Sequence, residues 1–186
     1  MSILTVHSET AFEPFERYTD HSEIATRLDR IGILFERWKT DRPLNEKDDS
    51  EAILAAHSDS IERLKQQYGF QSADVIRVSP DHTDREALRQ KFLSEHTHSD
   101  FEVRFFVGGR GLFYLHPDDK VYIVLCEAGD LISVPAGTRH WFDMGALPDL
   151  KVIRLFTTPE GWEAQYTGSD IADRFPKFEE YMQRCG

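Results

Sequence analysis

The chain has few cysteines, no long apolar run and no excess of positive charge. Of its 186 residues only Cys126 and Cys185 carry thiols. Two cysteines make a poor disulfide framework, which predicts a reduced, cytoplasmic protein with one core thiol and one tail thiol. No apolar run approaches the roughly 18 residues that a membrane helix needs. The opening "MSILTVHSET" lacks a basic stretch followed by an apolar core, so no signal peptide is expected. The formal net charge of −11 argues against nucleic acid or an anionic membrane as partner. An anionic small substrate would therefore have to be held by cations placed locally. No internal repeat or Gly/Ser-rich linker divides the chain, and its length suits a single domain over 1–186.

What is present changes character along the chain. The first 90 residues read as a mostly helical elaboration. Asp20 and Glu23 form a capping-box pattern, and Ile24, Leu28, Ile31 and Phe35 follow at helical spacing until Pro43. A second helix is expected from near Ser50, with Ile53, Leu54, His57, Ile61, Leu64 and Tyr68 as its stripe and Gly69 as its stop. On that stripe His57 reads as a core-edge residue. "DVIRVSP" reads as a strand, and "TDREALRQKFL" as a short helix capped by Thr83 or Asp84.

Residues 91–160 look different. "FEVRFFV", "GLFYLH", "KVYIVLCEA", "DLISVPA" and "KVIRLFT" are short, β-branched and aromatic, with turn signals between them. They predict a mainly β unit, a jelly-roll-like barrel with the N-terminal helices packed outside. The remainder, 161–186, reads as a loose surface segment. His7, His21, His82 and His116 stand alone and are expected to titrate at the surface.

Chemistry concentrates in "EHTHSDFEVRFFVGGRG", residues 95 to 111. His96, His98, Glu102, Arg104 and Phe106 share one parity, so in an extended chain all five face one way. If that way is a barrel interior, buried His, His and Glu need compensation, and a divalent metal supplies it. An HxH pair alone is more often a hydrogen-bonded or accidental pair. "GDLISVPAGTRHW" could return His140 to the same point through two glycine turns.

These two stretches resemble the cupin motifs. His96, His98, Glu102 and Gly109 match the first, and Gly129, Pro135, Gly137 and His140 match the second. Gln90 and Met144 stand where the pattern has glycine and asparagine, and Gln90 predicts a helix leading into the first motif. Within the cupins, "KFLSEHTHSDFEVRFFVGGRGLFYLH" and "DLISVPAGTRHWFDMG" resemble the acireductone dioxygenases of methionine salvage, a likeness that runs over essentially the whole chain.

The resemblance implies one Fe(II) or Ni(II) ion per chain on His96, His98, Glu102 and His140. It implies O2-dependent cleavage of 1,2-dihydroxy-3-keto-5-methylthiopentene. The Fe(II) products are 2-keto-4-methylthiobutyrate and formate, and the Ni(II) products are methylthiopropionate, formate and CO. It also implies a monomer. Arg104 would face the cavity and stabilise an enediolate, with a structural salt bridge as its rival. Glu95 is linked in that family to metal loading and Phe101 to conformational relay. Without the family they read as a surface carboxylate and a core aromatic. Phe92, Phe142 and Phe156 could wall a tail pocket, and Arg154 could add a second inward cation or a salt bridge. Two other classes stay open: another metal-dependent cupin enzyme, such as an isomerase or an oxalate-type enzyme, and a non-catalytic ligand-binding cupin.

Overall fold

In a computed structural model, residues 1–39, 48–158 and 163–185 are described. The elements run β1 (Ile3–Ser8), β2 (Ala11–Tyr18), α1 (His21–Asp29), β3 (Leu34–Arg37), α2 (Ser50–Ala56), α3 (Ser58–Tyr68), β4 (Ser72–Val78) and α4 (Arg85–Leu93). They continue β5 (His96–Thr97), β6 (Glu102–Gly108), β7 (Arg110–Leu115), β8 (Lys120–Glu127), β9 (Asp130–Val134), β10 (His140–Asp143), β11 (Leu150–Phe156), β12 (Gln165–Tyr166), α5 (Ile171–Arg174) and α6 (Phe178–Cys185). No helix among the described residues is long and apolar enough to cross a membrane.

Two antiparallel sheets carry the fold. One has the order β12-β5-β10-β7-β8-β1-β2, the other β3-β9-β6-β11-β4. This is the jelly-roll-type shell that the run of short strands predicts. Its inner faces meet in one apolar cluster that includes Leu4, Val6, Phe106, Phe113, Val124, Ile132 and Val152. The outer faces are also covered. On the first sheet Leu112, Tyr114 and Trp141 pack with Ile171, Phe175 and Tyr181. On the second, Phe105, Leu131 and Ile153 pack with Ile53, Ile61 and Leu64 of α2 and α3. Burial on both faces explains why "YIVLC" is continuously apolar, with no alternation.

Three expectations are corrected. The first 90 residues are not mostly helical, because β1 to β4 belong to the two sheets. The capping residue Asp20 does accept from the Ser22 and Glu23 amides, but α1 stops at Asp29. Phe35, expected on its stripe, lies on β3 and stacks on His21. Pro43 falls outside the described residues. Likewise the helix from Ser50 is two helices, broken at His57, whose Nδ1 faces the Ile53 carbonyl at 2.9 Å. Gly69 closes α3 as expected.

The C-terminal segment is not loose. α5 and α6 bury Ile171, Phe175 and Tyr181 against the first sheet, each such side chain contributing about 1.5–3 kcal/mol. The Tyr114 hydroxyl donates to the Pro176 carbonyl at 2.7 Å, and the Phe178 amide donates to buried Asp143. Nor do all the isolated histidines lie at the surface. His7 and His116 are buried, each held at both ring nitrogens. Cys126 is a buried core thiol and Cys185 a half-buried one, both free.

Candidate metal centre

The first motif does not form one continuous strand. His96 lies on β5 in the seven-stranded sheet, and Glu102 opens β6 in the five-stranded one. The chain crosses between sheets at Ser99–Phe101. Asp100 fixes the crossing by accepting from the Thr157 amide and hydroxyl and from the Phe101 amide. His96 and His98 therefore meet Glu102 and Arg104 across the barrel, from facing sheets, and the expected extended run along one face does not exist. His140 reaches the same point from β10, where it pairs with His96. The turn ahead of it is tied back by the Gly137 amide, which donates to the His98 carbonyl at 2.9 Å. At the far end of β6, Gly109 has φ +76°, and a Cβ there would sit 1.6 Å from the Asp149 carbonyl oxygen. Only glycine satisfies both demands.

His96, His98, Glu102 and His140 are all buried, and one donor atom from each falls within 4.8 Å of the others. The hydrogen bonds behind them determine what those atoms can do. Nδ1 of His96 faces the Ser94 carbonyl at 2.7 Å. Nδ1 of His98 faces that of Glu163 at 2.9 Å, and Nδ1 of His140 that of Thr138 at 2.7 Å. A carbonyl oxygen only accepts, so each Nδ1 carries the hydrogen and each neutral ring presents an Nε2 lone pair inward. Yet Nε2 of His98 and of His140 lie 2.9 and 2.8 Å from one oxygen of Glu102. Such an approach to a carboxylate oxygen needs positive charge between the atoms, supplied either by a proton on the ring or by a bound metal ion. A first-row divalent ion fits this set of imidazole nitrogens and carboxylate oxygen.

The electrostatics agree. Burial, assisted by the charge of His140, pulls His96 down to about 4, so it is neutral at physiological pH. Burial would lower His98 too, but its hydrogen bond to Glu102 outweighs that and raises it. Burial opposes ionisation of Glu102, and the Arg104 charge with the His140 and His98 bonds overcomes it, holding the carboxyl well below its ordinary value.

Arg104 lies 3.2 Å from the other Glu102 oxygen and donates to the Val103 carbonyl. It also lines the cavity beside the centre, so both readings of it describe the same placement. Arg154 stands opposite Arg104 in the β6–β11 register. It reaches the cavity as well, while its guanidinium is clamped in two hydrogen bonds by Asp74. The cavity holds about 200 Å³. Beyond its polar end the wall is mostly apolar, made by Phe92 and Leu88 from α4, Phe142 and Met144 from β10 and the residues after it, and Ile76, Val78, Leu150 and Val152 from β4 and β11, with Lys91 of α4 also in the lining.

Not every candidate side chain is brought to that cavity. Phe156 lies under the Arg154 guanidinium, 5.0 Å from it, and is not part of the lining. Phe101 packs outward near Tyr68 and Phe70. Glu95 is no surface carboxylate. It is buried behind His96, where it accepts from the Thr167 hydroxyl at 2.6 Å and binds Nδ1 of His116. Sequence reasoning missed the wall made by Ile76, Val78, Leu150 and Val152. Their i, i+2 spacing on two strands that pair with each other was the available signal.

Comparisons with known proteins agree with this geometry. The model of the ARD/ARD' family matches residues 4–164. An acireductone dioxygenase of Methylococcus capsulatus is 61% identical over 183 residues, 98% of each chain, and one of Aquifex aeolicus 59% over 182 residues, 98% of this chain and 99% of the relative. The solved acireductone dioxygenase of Bacillus anthracis, with a cadmium ion in its active centre, is 31% identical and superposes with a TM-score of 0.78 over 89% of this chain and 98% of that one. Four converging donors in a double-sheet barrel, matched end to end by these relatives, place the chain in the ARD/ARD' family of acireductone dioxygenases.

Proposed function

We propose that the chain cleaves 1,2-dihydroxy-3-keto-5-methylthiopentene with O2 in methionine salvage, using one Fe(II) or Ni(II) ion. The Fe(II) form would yield 2-keto-4-methylthiobutyrate and formate, and the Ni(II) form methylthiopropionate, formate and CO. The observation that carries this reading is the meeting of a four-donor cluster with a largely apolar cavity: His96, His98, Glu102 and Arg104 line it, His140 completes the donor set behind them, and most of the remaining lining is apolar. When bound, the ion supplies a charge that lowers the hydroxyl pKa values of a chelating enediol.

The chain's own residues do the rest. His96, His98, Glu102 and His140 hold the ion in place, and the carbonyls behind the histidines fix each ring's tautomer and orientation. Arg104 sets a fixed positive charge beside the reacting oxygens, where negative charge develops in a site shielded from water. Arg154, steadied by Asp74 and by the Phe156 ring, adds a second cation. Phe92 and Phe142 cover the methylthio tail and exclude water. Glu95 and Phe101 act as positioning residues from outside the cavity, Glu95 through the peptide leading to His96 and Phe101 through the crossing between His98 and Glu102. The protein works as a cytoplasmic monomer, without nucleic acid or membrane.

The test has two arms. Elemental analysis of protein from its native host should give close to one transition metal per chain. Anaerobic mixing should perturb the ultraviolet band of the acireductone, and admitted oxygen should bleach it far faster than in buffer. Metal without bleaching would point to a different metal-dependent cupin chemistry.

A further inference from the structure

Gly111 is the second residue of β7, with ordinary strand backbone and a regular pairing to Cys126. Nothing in its conformation demands glycine. Its lack of a side chain serves a neighbour instead. A Cβ on Gly111 would fall 2.4 Å from Cζ and 2.6 Å from Cε2 of Phe142. Phe142 pairs with Phe113 across β7–β10, and its ring leans along the sheet into the space that Gly111 leaves. From that seat it touches Phe113 at a centroid distance of 4.8 Å, Phe106 at 6.4 Å and Phe92 at 6.5 Å. All three of those rings line the cavity, as Phe142 does.

We propose that Gly111 is a specificity-determining position, because by seating the Phe142 ring against β7 it sets the longest apolar tail that the cavity accepts. The inference rests on the proposed acireductone reading and deepens it. A methyl group at 111 must push the ring tip back by about 1 Å to restore ordinary carbon–carbon contact. Every ring behind Phe142 belongs to the cavity wall, so the withdrawal takes room from the tail end. The colliding atoms are the far tip of one side chain. The fold can therefore absorb the change while the cavity cannot. The metal ligands lie on other positions and are untouched.

The experiment uses the Fe(II)-loaded protein and a series of 1,2-dihydroxy-3-keto-1-alkenes with unbranched tails of increasing length. It measures kcat/KM from the loss of the ultraviolet band, and anaerobic affinity from its shift. In the native chain each added methylene should raise kcat/KM roughly threefold to fourfold until the cavity is full. Gly111→Ala should keep the shortest substrate within about twofold and lose the longest accepted one by about tenfold, one methylene of extra burial gone together with a steric clash. Phe142→Leu should extend the series. Gly111→Ala with Phe142→Leu should match Phe142→Leu alone, because the new methyl then meets no ring tip. Parallel profiles for the native chain and Gly111→Ala would overturn the inference while leaving the proposed function standing. If Gly111→Ala does not fold, the double variant decides, and its being equally unfolded would overturn the inference too. A native chain that neither binds nor cleaves any member of the series would sink the proposed function itself, and the inference with it.

Discussion

Two sets of histidine and carboxylate adjoin each other in this molecule, the inner one buried and the outer one reaching the surface at Glu9, divided at the peptide between Glu95 and His96. The inner set is His96, His98 and His140 around Glu102. The outer set is His116 between Glu95 and Glu9. Their compositions are alike, but their hydrogen bonds are not. In the inner set every Nδ1 is taken by a backbone carbonyl, so each Nε2 lone pair points at the others or at Glu102. In the outer set both ring nitrogens of His116 face carboxylate oxygens. Both nitrogens are thus already partnered by side chains, and neither is left to hold a metal ion. The contrast teaches that a metal centre is marked by which nitrogens are already occupied, more than by the number of histidines present.

The sharpest way to break this contrast is to remove one histidine from each set and count metal. His140→Ala should cut metal affinity by far more than the ~10- to 100-fold typical of groups that merely orient ligands. Dialysed protein should then emerge nearly metal-free by elemental analysis. His116→Ala should still take up one ion. If it loses metal as completely as His140→Ala, the division into two sets is wrong. Arg104→Ala belongs between them. It should retain metal and lose about 10²- to 10³-fold in kcat, the scale seen on removing a preorganised charge-stabilising donor. Equal loss of metal would return Arg104 to a structural role.

Stability reverses the ranking. His116→Ala leaves the Glu95 carboxylate buried with the Thr167 hydroxyl as its remaining side-chain partner. Breaking a buried pair on one side costs about 3–5 kcal/mol, readable as a lowered denaturation midpoint. The inner set should instead show itself in the pH dependence of the metal-free protein. His96 is held at about 4 against 6.5 in an unfolded chain. As pH falls through that interval the unfolded chain takes up the proton first, so stability falls, by about 3 kcal/mol in all. His98 is raised above 6.5, so its contribution is present below 6.5 and is lost as pH rises through its folded value. Denaturant titrations of metal-free protein should therefore show greatest stability near pH 6.5. The loaded protein should lose the upper limb, because ligation keeps the imidazoles neutral. A loaded protein with an unchanged upper limb would mean that His98 is not a ligand.

The same contrast explains what could be read from the sequence. The four converging donor side chains were legible because they sit in short motifs whose glycine turns fix them locally. The crossing at Ser99–Phe101 was not. A continuous strand and a jump between facing sheets both deliver His98 and Glu102 to one cavity, so parity cannot separate them. β2 was hidden because it is an exposed edge strand, interrupted by Pro14, with no buried stripe to betray it. β1 went unread in the short "ILTVHS" with no turn signal before it. α6 buries fully only Tyr181, too little for a periodic signal. The role of His116 depends on Glu95 and Glu9, which are 21 and 107 residues away in sequence. No local pattern records such a partnership, and so the residue read as a solitary surface histidine.

The smallest expected effect probes the rim of the outer set. Glu9 lies at the molecular surface, its side chain 41% exposed, and meets Nε2 of His116 at 3.2 Å. Water can replace what Glu9→Gln removes, and the amide oxygen still accepts from the ring. The interaction also resembles a surface ion pair, for which about 0–1 kcal/mol is typical. Glu9→Gln should therefore cost less than about 1 kcal/mol by chemical denaturation, with metal content and turnover unchanged. Glu95→Gln should cost several times more, since its carboxylate is shut away from solvent and serves both His116 and Thr167. Equal costs for the two would show that the outer set is held by His116 alone, and that the depth of Glu95 contributes nothing to seating the strand that carries His96.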